Sequence, residues 1–349
     1  MKENKITLTP PEEEKKEEKE GFFEALVDES ISFFSTPSNR IANALSKGIP
    51  YGTDEEDLGT GEMTIRFPHL LITAKLDIFE CARTTLKRPA FGKALDMFGA
   101  CISRNGKAII KIEDYMRLRG ISRTLAYKEL KEFGILLTRC LITYDRTAIS
   151  KTEKAIYEKR KINFWTGSFT IAEDLVLTHG EAILLFSPKY AALALSYSGM
   201  THCKALLSID DKKHPAAYWL GRYLLERLNI NRIEAYRRKE KEVSNTLLVS
   251  IRDLLAVASG GIQAEETFKN NRHYRERIIR KLEEELNAIS CIGGWHYTTT
   301  SGQKITQAEA DKMAFKMWKE LSICFTYSEA IISQIIKKND ESQEISYNQ

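Results

Sequence analysis

The chain offers few residues whose types and spacing could carry out catalysis. Its six histidines, His69, His179, His202, His214, His273 and His296, are scattered. No two stand one residue apart and none belongs to an HExxH run, so no pair is spaced to share a metal ion. His202 beside Cys203 is the nearest thing to a nucleophile with a base. No third group is placed there by the sequence, and the pair reads as buried and structural. Asp210–Asp211 reads as a turn or a helix start, not a two-metal site. There is no GxxxxGK[ST], and the FGKA run at 91–94 lacks both the glycine spacing and the hydroxyl of a phosphate loop. No GxGxxG follows a strand. Cys81, Cys101, Cys140, Cys203, Cys291 and Cys324 contain no CxxC pair. That spacing argues against a zinc site or a disulfide framework and for reduced cytoplasmic thiols. The expectation is a protein with no catalytic residue, no cofactor and no metal.

The chemistry that the spacing does support is the reading of a polyanion. Residues 269–281 hold six Lys/Arg against one Glu. At 100° per residue, Ile278, Leu282, Leu286 and Ile289 fall on one side of a helix. His273, Arg277, Arg280 and Glu284 fall opposite, with Arg272 and Lys281 flanking them. An earlier helix has the same sidedness: Ala126, Leu130 and Phe133 point inward, Thr124, Lys128 and Lys131 outward, with Arg123 and Tyr127 at the edge. Arg can form two parallel hydrogen bonds to guanine, worth about 1–3 kcal/mol of discrimination. Lysines at phosphates set register on a duplex. A charged helix face is ordinarily only the solvated side of that helix. Two of them in similar settings shift the balance toward DNA.

Charge is distributed accordingly. The 349 residues carry a net +4, but residues 1–60 hold 7 basic and 14 acidic side chains, which leaves about +12 on residues 61–336. A basic body with an acidic head suits a nucleic-acid partner. Hydrophobic residues make up 43% and charged residues 29%, as in a soluble globular protein, and the length suits two domains. No apolar run reaches the roughly 18 residues that span a bilayer. The charged start is not a secretory signal, and the cytoplasm is the expected compartment.

Several elements must position these side chains. Residues 1–20 are low-complexity and charged and are expected to be disordered. Residues 21–34, with Phe22, Phe23, Leu26, Ile31 and Phe34 among acids, predict a short amphipathic helix docking on its own chain or on a partner. Residues 47–61 read as a linker. The body opens with an extended run, Met63–Thr73, then a helical region at 75–103 broken at Pro89, then a strand over Lys107–Ile112. A short helix at 113–119 ends at Gly120. Ser122 caps a second helix, expected to stop at Gly134, before a β-rich run at 135–144. Helix, tight turn, helix and strand is the order of a winged helix-turn-helix. Residues 145–161, with Arg146, Lys151, Lys154, Lys159, Arg160 and Lys161, suit a wing tip near phosphates or equally a solvated loop. The order returns later: a long helix with Pro215 at its first turn and Leu220, Leu224 and Leu228 as its stripe, then a basic connector. A short helix Ser250–Ala258, a longer one over 270–289, and strands at 291–300 and 321–327 around Gly302 complete it. Residues 306–320 are expected to be helical, unlike a simple wing.

From residue 62 to about 329 the sequence resembles the plasmid replication initiators of the two-winged-helix type, in particular those of plasmids and mobile elements of Firmicutes. AILLFSPKYAALAL and LLSIDDKKHPAAYWLGRYLLERLNINR are similar to that family's strand ending in F-x-P and its I-D-x-x-H-P-x-A-Y-x-L-G-R run. NNRHYRERIIRKLEEELNAIS and GGWHYTTTSGQKIT fit its last helix and wing, and MRLRGISRTLAYKEL fits more loosely. Ala216 stands where the family pattern leads us to expect Asn. The resemblance implies an α+β, mainly helical fold of two tandem winged-helix domains, 61–203 and 204–330. An acidic, partly disordered segment (1–60) precedes them and a tail (331–349) follows. It implies a sequence-specific, non-enzymatic initiator that binds double-stranded origin repeats. Host initiator and helicase would be its partners, and a homodimer would exchange with monomer. It places Arg272, His273, Arg277 and Arg280 on one major-groove helix and Arg123, Thr124, Lys128 and Lys131 on the other, with Lys281 beside the first. Asp210, His214, Pro215, Tyr218, Gly221 and Arg222 would be structural at the domain junction, with Arg222 also a candidate phosphate contact. A tandem winged-helix transcriptional regulator, a nicking enzyme with an unrecognised site, and a helical scaffold with an acidic docking head are the alternatives.

Overall fold

The computed structural model describes residues 32–36, 55–57, 62–67, 70–86, 88–144, 168–196, 199–238, 244–258, 262, 264 and 273–334. The expectations for residues 1–20, for the basic run 145–161 and for the tail beyond 334 lie outside these residues.

The first strand, β1 (Phe33–Thr36), falls where the end of an amphipathic helix is expected. Phe33 and Phe34 alternate between two hydrophobic clusters, a strand's period rather than a helix's. Next come β2 (Glu55–Asp57), within the expected linker, β3 (Glu62–Phe67) and β4 (Leu70–Lys75). Two helices follow, α1 (Leu76–Leu86) and α2 (Pro89–Ala100), the second with Pro89 in its first turn, where a missing N–H does no harm.

The first module is β5 (Lys107–Lys111), α3 (Ile112–Arg119), α4 (Arg123–Arg139) and β6 (Leu141–Tyr144), then the hairpin β7 (Ala172–Leu177) and β8 (Glu181–Phe186). Its sheet runs β5-β8-β7, all antiparallel, while β6 closes a second sheet in the order β2-β3-β4-β6. One expectation is corrected here. Helix α4 does not stop at Gly134 but continues to Arg139, so the β-rich run shortens to β6. Gly134 is a packing site: a Cβ there would lie 2.6 Å from Leu175 Cδ2 of β7. A hairpin of this module is described at 172–186; the tip expected over 145–161 lies outside the described residues. Just before the hairpin, Phe169 forms a single antiparallel bridge with Ile142.

Helix α5 (Pro188–Ser196), strand β9 (Met200–Cys203) and a 3-10 turn (Lys204–Ser208) lead to the second module. Its long helix α6 (Ala217–Arg237) begins two residues after Pro215 and absorbs most of the expected basic connector. Then come β10 (Thr246–Ser250), α7 (Ile251–Val257) capped by Ser250, and a helix whose first part, Arg275–Arg280, is π-helical and whose second part is α8 (Lys281–Asn287). Strand β11 (Ile292–Thr298), the short β12 (Lys304–Ile305), helices α9 (Gln307–Lys312) and α10 (Phe315–Trp318), and β13 (Ser322–Tyr327) close the module. The sheet order, β10-β13-β11-β12, repeats that of the first module: first strand, last strand, middle strand. The fold is therefore α+β, two winged-helix modules in tandem, with α9 and α10 inserted before the last strand of the second.

One hydrophobic cluster gathers residues from Phe34 to Leu207, the other from Cys203 to Ile331. They meet where β1 pairs antiparallel with β9, Phe34 opposite His202 and Phe33 opposite Cys203.

Candidate nucleic-acid interface

The first exposed basic helix is set by a tight turn. Gly120 adopts the left-handed conformation (φ 62°), which closes α3 without the strain a Cβ would bring. Ser122 then accepts the N–H of Leu125 at 3.4 Å and starts α4. Ala126, Leu130 and Phe133 are buried, and Arg123, Thr124, Lys128 and Lys131 are exposed on the opposite side. The hairpin turn Thr178–Gly180 is fastened to this helix. Tyr127 donates its hydroxyl to the carbonyl oxygens of Thr178 (2.6 Å) and His179 (3.0 Å), and the Arg123 guanidinium donates to the His179 carbonyl. Helix face and hairpin tip thus form one surface. Arg123 also lies over the Tyr127 ring at 5.9 Å, so one end of its guanidinium is held by the protein. Tyr127 carries no charge, and its spacing alone did not reveal it as the residue that holds the tip.

In the second module, Ile278, Leu282, Leu286 and Ile289 are all buried, as the helical period demands. Ile279 is buried as well, so the core face through the π-helical turn is wider than the α-helical period indicates. Tyr274 packs on Phe315 of α10 at 5.4 Å and fixes the start of the helix. His273, Arg275, Arg277 and Arg280 are exposed; Arg272 lies outside the described residues. The turn between β11 and β12, with Gly302 at φ 88°, presents exposed Ser301, Gln303 and Lys304.

Two of the expected contacts are placed elsewhere. Arg222 is 1% exposed and cannot reach a phosphate. Its Nε lies 2.9 Å from Asp96 Oδ2 of α2, and His202 Nε2 lies 2.8 Å from the same oxygen. Tyr218 donates its hydroxyl to Asp96 at 2.6 Å, and Thr36 of β1 donates at 3.4 Å. Burial by itself would raise the Asp96 carboxyl, but Arg222 and His202 outweigh it and hold the group down at about 2. Lys281 is turned away as well: its Nζ donates to the Lys213 carbonyl at 2.8 Å and pairs with Glu285 at 3.1 Å. The fully buried Glu285 in turn accepts the N–H groups of Ala216 (3.0 Å) and Ala217 (2.7 Å). A carboxylate is thereby placed at the positive start of α6, just after Pro215.

A second buried charge cluster joins the modules. Arg119, at the end of α3, reaches Asp211 at 2.6 Å and Glu129 of α4 at 3.4 Å. Lys93 of α2 reaches Asp211 at 2.5 Å and the Ile209 carbonyl at 2.7 Å. Burial, then the Arg119 charge, lowers the Lys93 ammonium to about 8 despite Asp211.

Among the described residues, no group of three His, Cys, Asp or Glu is placed to hold a metal ion, and no helix is long and apolar enough to cross a membrane. The sequence matches no protein-family profile and no curated protein. Two solved structures are similar in shape. One is the Pi initiator protein in complex with iteron DNA: 16% identity, TM-score 0.45, covering 75% of this chain and 98% of that one. The other is domains 2 and 3 of RctB: 11% identity, TM-score 0.35, covering 83% of this chain and all of that one.

Proposed function

We propose that the chain is a sequence-specific double-stranded DNA-binding protein that initiates replication of a plasmid or mobile element without catalysing a reaction. One observation carries the reading. A helix-turn-helix unit with the same sheet order occurs twice, and each time the second helix presents exposed basic residues, in the first module beside a hairpin turn. Arg277 and Arg280 are proposed to read base edges in one major groove, with His273 at the same end of the helix and Arg272, next to it in the sequence, as a further contact. Thr124, Lys128 and Lys131 engage the other groove, with Arg123 beside them. The segments 61–203 and 204–330 act as the two DNA-binding units. The resemblance of the sequence to two-winged-helix initiators supports origin repeats as the site, host initiator and helicase as partners, and exchange between homodimer and monomer.

The test is binding to fragments of the replicon that encodes the chain, at several salt concentrations. Selective binding to a repeat array is expected. Truncating two bidentate arginines in Arg277→Ala/Arg280→Ala weakens it by about 10- to 100-fold or more. Binding to one promoter-like palindrome would replace the initiator by a transcriptional regulator. Weak binding indifferent to sequence and to the variant would overturn the reading.

A further inference from the structure

The two exposed helices are linked by a chain of ionic and hydrogen-bonded contacts that passes through one short segment, Ile209–Lys213. On one side, Asp211 takes Arg119 (2.6 Å) and Lys93 (2.5 Å), and Arg119 continues to Glu129 on α4 (3.4 Å). Glu129 is also tied to the buried Tyr115 of α3 by a 3.0 Å hydrogen bond. On the other side, the Lys213 carbonyl takes the Lys281 ammonium of α8 at 2.8 Å. Within the segment, Asp210 accepts the N–H groups of Lys212 (2.9 Å) and Lys213 (3.4 Å) and makes it a closed turn. The first module therefore grips the turn from the end of one reading helix's support, and the second module grips it from the reading helix itself.

The Asp96 cluster is a further buried attachment between α2 and α6, one helical turn along α2 from Lys93, whose ammonium also lies 5.6 Å over the Tyr218 ring. A single attachment leaves two bodies free to rotate about it. The contact of the Lys213 carbonyl with Lys281 engages a different helix, α8, and limits that freedom. We infer that the Ile209–Lys213 turn, through Asp211 and Lys281, sets the separation and angle of the two reading helices and so determines which spacing between half-sites the chain accepts. This rests on the DNA-reading function proposed above and deepens it.

The physical consequence is large. Each base pair inserted between half-sites moves them about 3.4 Å apart and turns one about the duplex by roughly 35°. Rigidly joined modules gain effective concentration at one spacing and lose it at others. Loosely joined modules gain less and tolerate more.

The preferred duplex is selected from a random pool with the full chain. One to five base pairs are then inserted between or removed from its two halves. Wild-type protein is expected to lose about 100-fold in affinity within two base pairs of the optimum. Asp211→Ala is expected to flatten that profile to about tenfold or less while leaving binding to an isolated half-site unchanged. Lys281→Met, which leaves Lys93, Arg119 and Asp211 in place, is expected to flatten it likewise and serves if Asp211→Ala fails to fold. A phosphate contact by Lys281 would instead lower affinity equally at every spacing and reduce the salt dependence; that result overturns the inference. So does a steep profile retained in both variants. If the wild-type chain selects no sequence, the DNA-reading function itself falls, and the inference with it.

Discussion

At the scale of single residues, burial decides which cations can meet DNA. Arg222 and Arg277 are the same residue type on long helices, yet one is inside and the other outside. The periodicity around Arg277 showed its exposure, because Ile278, Leu282 and Leu286 mark the opposite side. Nothing local marked Arg222 as buried: its partner Asp96 lies in another module, and only the folded chain brings them together. Lys281 was read as flanking the DNA face for a similar reason, since Glu285 and the Lys213 carbonyl compete for it unseen. Arg222→Ala is expected to leave DNA affinity per folded molecule unchanged while costing about 3–5 kcal/mol of stability, because it strands a buried carboxylate. Denaturant unfolding together with binding measured on the folded fraction checks both halves. A loss of affinity with stability intact would return Arg222 to the interface.

At the scale of elements, local signals were legible and long-range ones were not. Gly120 and Ser122 announce the turn and cap that begin α4, and the structure places both as expected. Gly134 carries the same residue type but a different role. It sits inside the helix because β7 comes too close for a side chain, and β7 lies some forty residues further on. The same distance hid the hairpin of β7 and β8 at 172–186, whose packing on α4 no local signal announces. Strand β1 was masked by its surroundings, since Phe33 and Phe34 end a segment with a helical spacing of aromatics. Gly134→Val forces Leu175 aside and is expected to destabilise the first module by about 1–3 kcal/mol. Its unfolding midpoint should fall, whereas Gly180→Val, with open space around the site, should leave that midpoint nearly unchanged apart from local backbone effects.

At the scale of the whole molecule, a repeated module is joined by buried charge. Asp96 has a folded value of about 2 against an ordinary 3.8. A carboxyl depressed in this way stabilises the fold above its unfolded value and loses that contribution as pH falls from about 4 to about 2. The contribution is on the order of 2 kcal/mol. Equilibrium unfolding followed from pH 6 down to pH 2 should show this loss, and Asp96→Asn should remove that part of the slope. An unchanged slope in the variant would assign acid sensitivity elsewhere. The junction ties β1, α2, β9 and α6 together, so its loosening should also reduce binding to a full site more than binding to a half-site.

The central claim is that one chain reads DNA with two helices at once, and footprinting of the selected duplex addresses it most directly. Hydroxyl-radical cleavage with the full chain should show two protected patches on one side of the duplex. Lys128→Ala/Lys131→Ala should weaken one patch and Arg277→Ala/Arg280→Ala the other, each leaving its neighbour in place. A single patch, or two patches that fade together whichever helix is altered, would contradict the account.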